Sequence, residues 1–150
     1  ALSVGVIIGK QGSDIPEEKA YEYIAGYSLG LDMTARGQED RSFRKSIDGY
    51  TVLGPWMITA DELPNPADVP FVLHVNQEKR QESNTSFLIF DIPKLIEFAS
   101  KFYTLYPGDV YYTGTPEGVG PVKPGDTVTM KSLPQLGELS IKVRAHDIKA

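Results

Sequence analysis

Residues 109–120 read Asp109-Val-Tyr-Tyr-Thr-Gly-Thr-Pro-Glu-Gly-Val-Gly120, a β-prone segment that ends in Thr-Gly-Thr-Pro and opens into a glycine-rich loop. Such a strand end leaves hydroxyl groups and uncovered backbone amides at the edge of a sheet, where small anions bind well. Alone the pattern is weak, because most strand ends rich in Thr and Gly are only turns. Two further blocks give it weight: Gly26-Tyr-Ser-Leu-Gly-Leu-Asp-Met-Thr-Ala-Arg36 and Lys45-Ser-Ile-Asp-Gly-Tyr-Thr-Val-Leu-Gly-Pro-Trp56.

Short apolar or alternating segments predict that the chain is mostly β. Residues 4–8 form a continuous apolar run, which is typical of a strand buried on both faces. Two Pro-Gly-Asp turns and a hairpin turn over residues 76–78 separate later segments. The predicted strands cover residues 4–8, 27–34, 50–53, 71–75, 79–81, 109–113, 127–130 and 139–144.

Two segments predict short helices. Residues 16–24 begin with Pro16 and two glutamates in the first turn. Residues 92–103 carry apolar side chains at helical spacing behind Asp91, a suitable N-cap. Residues 35–69 show little periodicity apart from the short strand, so we expect long loops there, where functional residues often lie. The prediction is a single α+β domain over residues 1–150.

Composition excludes several classes of function. The net charge of −5 argues against a nucleic-acid surface, because phosphate binding needs clustered Lys and Arg. The chain has no cysteine, which excludes disulfides, thiolate catalysis and Cys-based zinc sites. Any metal must therefore bind to oxygen or histidine. No apolar run approaches a membrane span and no export signal is visible, so we expect a cytoplasmic protein without membrane partners.

Asp32 lies in an apolar strand, where a carboxylate is costly unless it is paired or bound to a cation. The residues alone favour pairing with Arg36 or Lys45 over a metal. Arg36 and Lys45 also belong to a basic cluster with Arg41 and Arg44. That cluster either steers a small anionic substrate or is a solvated loop.

Three aromatic or imidazole side chains are weaker candidates. His74 and His146 match no metal or triad spacing, so both are expected to be structural or solvated. Trp56 follows Gly-Pro and is expected to be a core or interface anchor.

Taken in this order, the three blocks resemble the fumarylacetoacetate hydrolase family over nearly the whole chain. The resemblance implies a mixed β-roll or sandwich with two short helices. It also implies that residues 1–150 correspond to the C-terminal catalytic portion of the family domain, without the N-terminal segment that supplies a lid.

The resemblance implies an enzyme that acts on a small 2-oxo or β-diketo acid. The reaction would be C–C hydrolysis, decarboxylation or keto–enol isomerisation through a shared enolate, with a divalent Mg or Mn ion as cofactor. A degenerate, non-catalytic subunit that binds an organic acid is the alternative, because the family's Glu-x-Glu metal ligands align with Ala1 and Ser3.

The resemblance assigns roles to three residues. Asp32 matches a metal ligand, and Lys45 matches a catalytic lysine that holds the enolate oxygen. Thr115 matches a donor to the substrate carboxylate. Arg36, from the basic cluster, is also expected to bind the substrate. Where the family motif continues Asp-x-Gln, this chain has Gly37 and Glu39, so no role is assigned to the glutamine position.

The segment 48–57 is rich in Gly, Pro and aromatic residues and poor in charge. Such a surface is usually buried in an isologous interface. We therefore expect a homodimer or a higher homo-oligomer.

Overall fold

The structure is a computed structural model that describes residues 1–145. Within these residues, eight strands form two four-stranded sheets, and every pairing between them is antiparallel. The strands are β1 Leu2–Ile8, β2 Ile24–Asp32, β3 Thr51–Thr59, β4 Pro70–Val75, β5 Glu78–Asn84, β6 Val110–Tyr112, β7 Thr127–Lys131 and β8 Glu138–Lys142. The α-helices in this part of the chain are α1 Arg41–Lys45 and α2 Ile92–Phe102.

The two sheets enclose one apolar core. The first sheet has the strand order β3-β2-β1-β6 and the second has the order β5-β4-β7-β8. Leu2, Val4, Val6 and Ile8 alternate along β1 and are all buried in the core, as are Leu73 and Val75 on β4 and Met130 on β7. The predicted sandwich of a mostly β domain is confirmed. The prediction that the first strand is buried on both faces is also confirmed, since every residue of β1 except Ile7 is buried.

Helix α2 begins where the sequence predicts. The Asp91 side chain accepts a hydrogen bond from the backbone N–H of Lys94 at 3.0 Å, which satisfies one of the free amides of the first turn. Ile92, Ile96 and Ala99 are buried against the domain. Ser100 Oγ accepts from the backbone N–H of Ile15 at 3.0 Å and ties the helix to the segment after β1.

The first predicted helix is confirmed, and it is of the 3-10 type. It covers residues Glu17–Tyr23. The Lys19 N–H donates to the Pro16 carbonyl at 2.9 Å, an i→i+3 bond. Only Ala20 of this segment is buried. The segment therefore has no apolar face whose burial would favour an α-helix over the 3-10 helix.

The predicted loop over residues 35–69 contains more structure than expected. Helix α1 is capped by Asp40, whose side chain accepts from the Ser42 N–H at 2.8 Å. Strand β3 runs to Thr59, past a cis bond between Gly54 and Pro55. Proline is tolerated because β3 is an edge strand, where the missing N–H costs no ladder bond.

The predicted turns are confirmed. Asn76 and Gln77 both have positive φ, as a tight turn between β4 and β5 requires. Gly108 and Gly125 of the two Pro-Gly-Asp turns have φ values of 95° and 97°, which favour glycine. Over residues 1–145, no helix is long and apolar enough to cross a membrane.

Replacing Asp91 with alanine should lower the free energy of unfolding by about 1 kcal/mol, because the first turn of α2 loses its cap. Chemical denaturation measures this change. Asp61→Ala, at an exposed carboxylate outside α2, is the control and should change stability little. Equal stability of Asp91→Ala and the wild type would show that the cap contributes nothing.

Candidate active site

The outward face of the first sheet carries the predicted site at one end. In the antiparallel register Leu2 lies opposite Leu31 and Ser3 lies opposite Gly30. The Asp32 N–H continues this ladder by donating to the Ala1 carbonyl at 2.8 Å. Because side chains alternate along strands, Ala1, Ser3 and Asp32 share the face opposite the core.

Asp32 and Lys45 are in direct contact at this end of the sheet. Lys45 Nζ lies 2.5 Å from Asp32 Oδ2 and donates to Thr34 Oγ1 at 3.1 Å. Both side chains are partly exposed, 41% for Lys45 and 30% for Asp32. The interpretation drawn from the residues alone, that Asp32 pairs with a neighbouring cation, is confirmed for Lys45.

Helix α1 brings Lys45 to Asp32. The backbone N–H of Ala35 donates to the Arg44 carbonyl at 3.0 Å, and the N–H of Met33 donates to the Tyr50 carbonyl at 2.9 Å. These bonds fold the segment after β2 back onto itself. The ammonium group is thereby held between two acceptors and still faces solvent.

Thr115 lies beyond β6, on the other side of β1 from Asp32. Its Oγ1 accepts from Gln81 Nε2 at 2.9 Å. The Gln81 Oε1 atom accepts from the Leu2 N–H at 3.0 Å, so one side chain joins the Thr115 turn to the start of β1. The two predicted site residues Asp32 and Thr115 therefore flank the same strand end.

Arg36 is exposed and, within residues 1–145, forms no ion pair. Arg36 lies four positions after Asp32, just beyond the end of β2. The structure places Arg36 near this site without a direct contact to Asp32.

Sequence reasoning missed Tyr112. Its hydroxyl donates to the Val52 carbonyl at 2.8 Å, and its ring covers Gly30, where a Cβ would lie 2.2 Å from the ring. Burial raises the pKa of Tyr112, and the Asp32 carboxylate adds to that rise. The available signal was the glycine at position 30, which leaves room for an aromatic ring on the same face.

Among the residues that the structure describes, no three His, Asp or Glu side chains come together as a metal site. Asp32 is the carboxylate on this face, and positions 1 and 3 beside it hold Ala and Ser. Asp32 Oδ2 is taken by Lys45, whereas Oδ1 accepts no hydrogen bond from residues 1–145. The site thus fits a cation that shares Asp32 with ligand oxygens, not one held by protein groups alone.

The weaker candidates lie elsewhere. His74 is on β4, opposite Thr129 of β7, in the second sheet. His146 lies outside the described residues. Trp56 is half-exposed, donates from Nε1 to the Gln135 carbonyl at 3.0 Å and packs on Gly137. Glu39 is exposed, and Gly37 lies against its carboxylate.

The fold is a domain of two antiparallel β-sheets. An Asp–Lys pair and a Thr-Gly-Thr-Pro turn lie at the end of its first strand. The family description "Fumarylacetoacetate (FAA) hydrolase C-terminal" matches residues 2–144. The chain therefore belongs to the fumarylacetoacetate hydrolase family.

Individual relatives agree with this assignment. The chain is 51% identical over 144 residues to a maleylpyruvate hydrolase of Aquipseudomonas alcaligenes. The match covers 96% of this chain and 50% of that hydrolase. A solved maleylpyruvate hydrolase from Sphingobium sp. SYK-6, in complex with manganese(II) and pyruvate, has a TM-score of 0.90 and 42% identity, over 95% of this chain and 53% of that one.

A third relative carries the name of an isomerase. The structure of the 5-carboxymethyl-2-hydroxymuconate delta-isomerase from Mycobacterium smegmatis matches with a TM-score of 0.90 and 40% identity. The match covers 97% of this chain and 59% of the isomerase chain. The present chain thus spans about half the length of the curated relatives it matches.

Proposed function

We propose that the chain is the catalytic-domain portion of an enzyme that acts on a small 2-oxo or β-diketo acid, with C–C hydrolysis of an acylpyruvate as the leading reaction. The observation that carries the proposal is the Lys45–Asp32 pair at the strand end that Thr115 also reaches. The names of two similar proteins, both maleylpyruvate hydrolases, support it.

In C–C hydrolysis of an acylpyruvate, water adds to the distal carbonyl carbon. The C–C bond then breaks, and its electron pair passes to the pyruvate fragment as an enolate, which takes a proton to give pyruvate. Negative charge therefore develops on the oxygen of the 2-oxo group. A partly exposed ammonium fixed between Asp32 and Thr34 can stabilise that oxygen without reorganising as the charge develops.

The substrate carboxylate would be held by Thr115 and Arg36. Because Thr115 Oγ1 accepts from Gln81, its own hydrogen can be donated to a ligand. The exposed guanidinium of Arg36 can provide a second, charged donor. Carboxylate recognition and enolate stabilisation then lie at one end of β1.

The proposed cofactor is a divalent Mg or Mn ion. Asp32 would hold it together with oxygens of the ligand, and the bound ion would polarise the 2-oxo carbonyl. Lys45 would remain beside the developing enolate in either case. The cytoplasmic location expected above stays a prediction.

A second candidate is a non-catalytic module that binds an organic acid. Ala1 and Ser3, in place of two carboxylates on the face of Asp32, favour it. Binding would still use Thr115, Arg36 and Lys45, so the two candidates differ in turnover and not in ligand class.

The test is to supply maleylpyruvate with Mg²⁺ or Mn²⁺ and to measure pyruvate release in a coupled assay. The same samples are titrated with oxalate, a stable mimic of a 2-oxo acid. Pyruvate release supports the enzyme. Oxalate binding with neither pyruvate release nor loss of substrate would favour the binding module. If the chain neither bound oxalate nor released pyruvate, both candidates would be removed.

We also propose that the chain forms a homodimer through the outer face of the first sheet, with the end that carries Asp32 left outside the contact. Three apolar side chains are exposed on this face: Leu53 by 41%, Met57 by 47% and Val110 by 40%. Leu53 and Val110 lie beside Gly5 on strand β1. An apolar sheet face of this kind is usually covered in an assembly. Light scattering should therefore give about twice the chain mass of 16.5 kDa.

The double variant Met57→Lys/Val110→Lys should shift the particle to the monomer, because it places charges in the proposed contact. Phe98→Lys, on the exposed side of α2, is the matched control and should leave the dimer intact. A monomeric wild type at high concentration would contradict the dimer. Dissociation by Phe98→Lys alone would place the interface on α2 instead.

A further inference from the structure

We infer that Gln81 positions the Thr115 hydroxyl for carboxylate binding, a role that rests on the function proposed above. Gln81 lies on β5 in the second sheet and is only 3% exposed. It is set between the start of β1 and the Thr115 turn and is buried, so the role inferred for it is positioning rather than ligand contact.

The amide of Gln81 is fully engaged in this bridge. Its Oε1 accepts from the Leu2 N–H at 3.0 Å. Its Nε2 donates to Thr115 Oγ1 at 2.9 Å and to the Pro116 carbonyl at 2.9 Å. A primary amide offers two donor hydrogens, and both point at the same turn.

These bonds restrict the direction of the Thr115 hydroxyl hydrogen. An oxygen that accepts from Nε2 keeps its own hydrogen for another acceptor, and the exposed side of Thr115 faces solvent. The hydroxyl is thus set as a donor toward an incoming carboxylate. The bridge also holds the Thr115 turn beside the start of β1. Asp32 of β2 lies on the opposite side of that same end of β1.

The packing of the following loop supports the same picture. Gly118 has a φ of 97°, and a Cβ there would lie 2.2 Å from the Arg80 carbonyl oxygen. The loop therefore rests directly on the backbone of β5 beside Gln81. Strand β5 is the support on which the ligand-facing turn is built.

The sharpest test is Gln81→Glu, which keeps the shape of the side chain and the acceptor for Leu2. A carboxylate has no donor hydrogen, so the Thr115 hydroxyl would donate to it and turn away from the ligand. Oxalate affinity in the presence of Mn²⁺, measured by calorimetry on the 150-residue chain, should fall about tenfold, the scale of one hydrogen bond to a charged group.

Coupling to Thr115 separates positioning from a merely structural role. Thr115→Val should weaken oxalate to a similar degree, and Gln81→Glu should add little in the Thr115→Val background. A structural role would instead lower the melting temperature in both backgrounds and give additive losses of affinity. Gln81→Met, which is uncharged and of similar size, repeats the cycle if the glutamate variant does not fold.

The outcomes are distinct. Non-additive losses of oxalate affinity support the role of Gln81. Unchanged affinity in Gln81→Glu or Gln81→Met, or additive losses, would overturn it and leave the proposed function in place. A wild type that binds no oxalate would overturn this role. If it also released no pyruvate from maleylpyruvate, the proposed function would be overturned as well.

Discussion

Replacing Lys45 with methionine is expected to lower the turnover of an acylpyruvate by about 10²-fold or more while the chain stays folded. Methionine keeps most of the length and volume of the side chain but removes the charge that faces the developing enolate. The ammonium group contacts only Asp32 and Thr34 among the described residues. Because Asp32 is partly exposed, water can solvate its carboxylate once Lys45 is gone.

The measurement is a comparison of kcat and KM with the melting temperature of the same samples. Lys101→Met is the matched control, since Lys101 pairs with Glu97 on the surface of α2 at 3.3 Å and lies on the helix rather than at the sheet. A loss confined to kcat indicates a group that acts in the transition state. Unfolding of Lys45→Met would make Lys45 structural, and equal turnover would remove it from the mechanism.

The second large effect concerns the divalent ion. Mn²⁺ together with oxalate should stabilise the wild type by about 2.7 kcal/mol when the ligands are present at a hundred times their apparent Kd. Mn²⁺ alone should leave the melting temperature nearly unchanged. The reason is that Asp32 is the single carboxylate that residues 1–145 place on the outer face of the first sheet, and it is already paired with Lys45.

Asp32→Ala should abolish the gain from Mn²⁺ with oxalate, whereas Asp61→Ala, at an exposed carboxylate of a 3-10 turn, should retain it. Stabilisation by Mn²⁺ alone would show that the protein supplies more metal ligands than Asp32. An equal gain from oxalate alone would show that no ion takes part. Repeating the titration with Mg²⁺ distinguishes the two proposed cofactors.

Much of the fold could be predicted because its strands carry their own local pattern. Alternating or continuous apolar runs mark β1, β4 and β7, and glycine at positive φ marks the turns between them. Helix α1 could not be predicted in this way, since five residues span little more than one turn and none of them is buried. Strand β3 was predicted too short because proline is a poor strand former away from an edge.

The candidate site was only partly predictable. The pairing of Asp32 with Lys45 follows from the cost of an unpaired carboxylate, although the sequence left Arg36 as an equal partner. Tyr112 and Gln81 were missed for a different reason. Their partners, Val52 and Thr115, lie 60 and 34 positions away, so no local spacing could reveal them.

The bridge through Gln81 ties ligand binding to the folding of the whole domain. Leu2 and Gln81 are 79 positions apart and belong to different sheets. Such a contact forms only after a long loop has closed, which is a late and entropically costly event. A partly folded chain with only the first sheet in place would have Asp32 but no anchored Thr115. Ligand affinity should therefore report global unfolding, and a bound acid should suppress complete unfolding rather than local fraying.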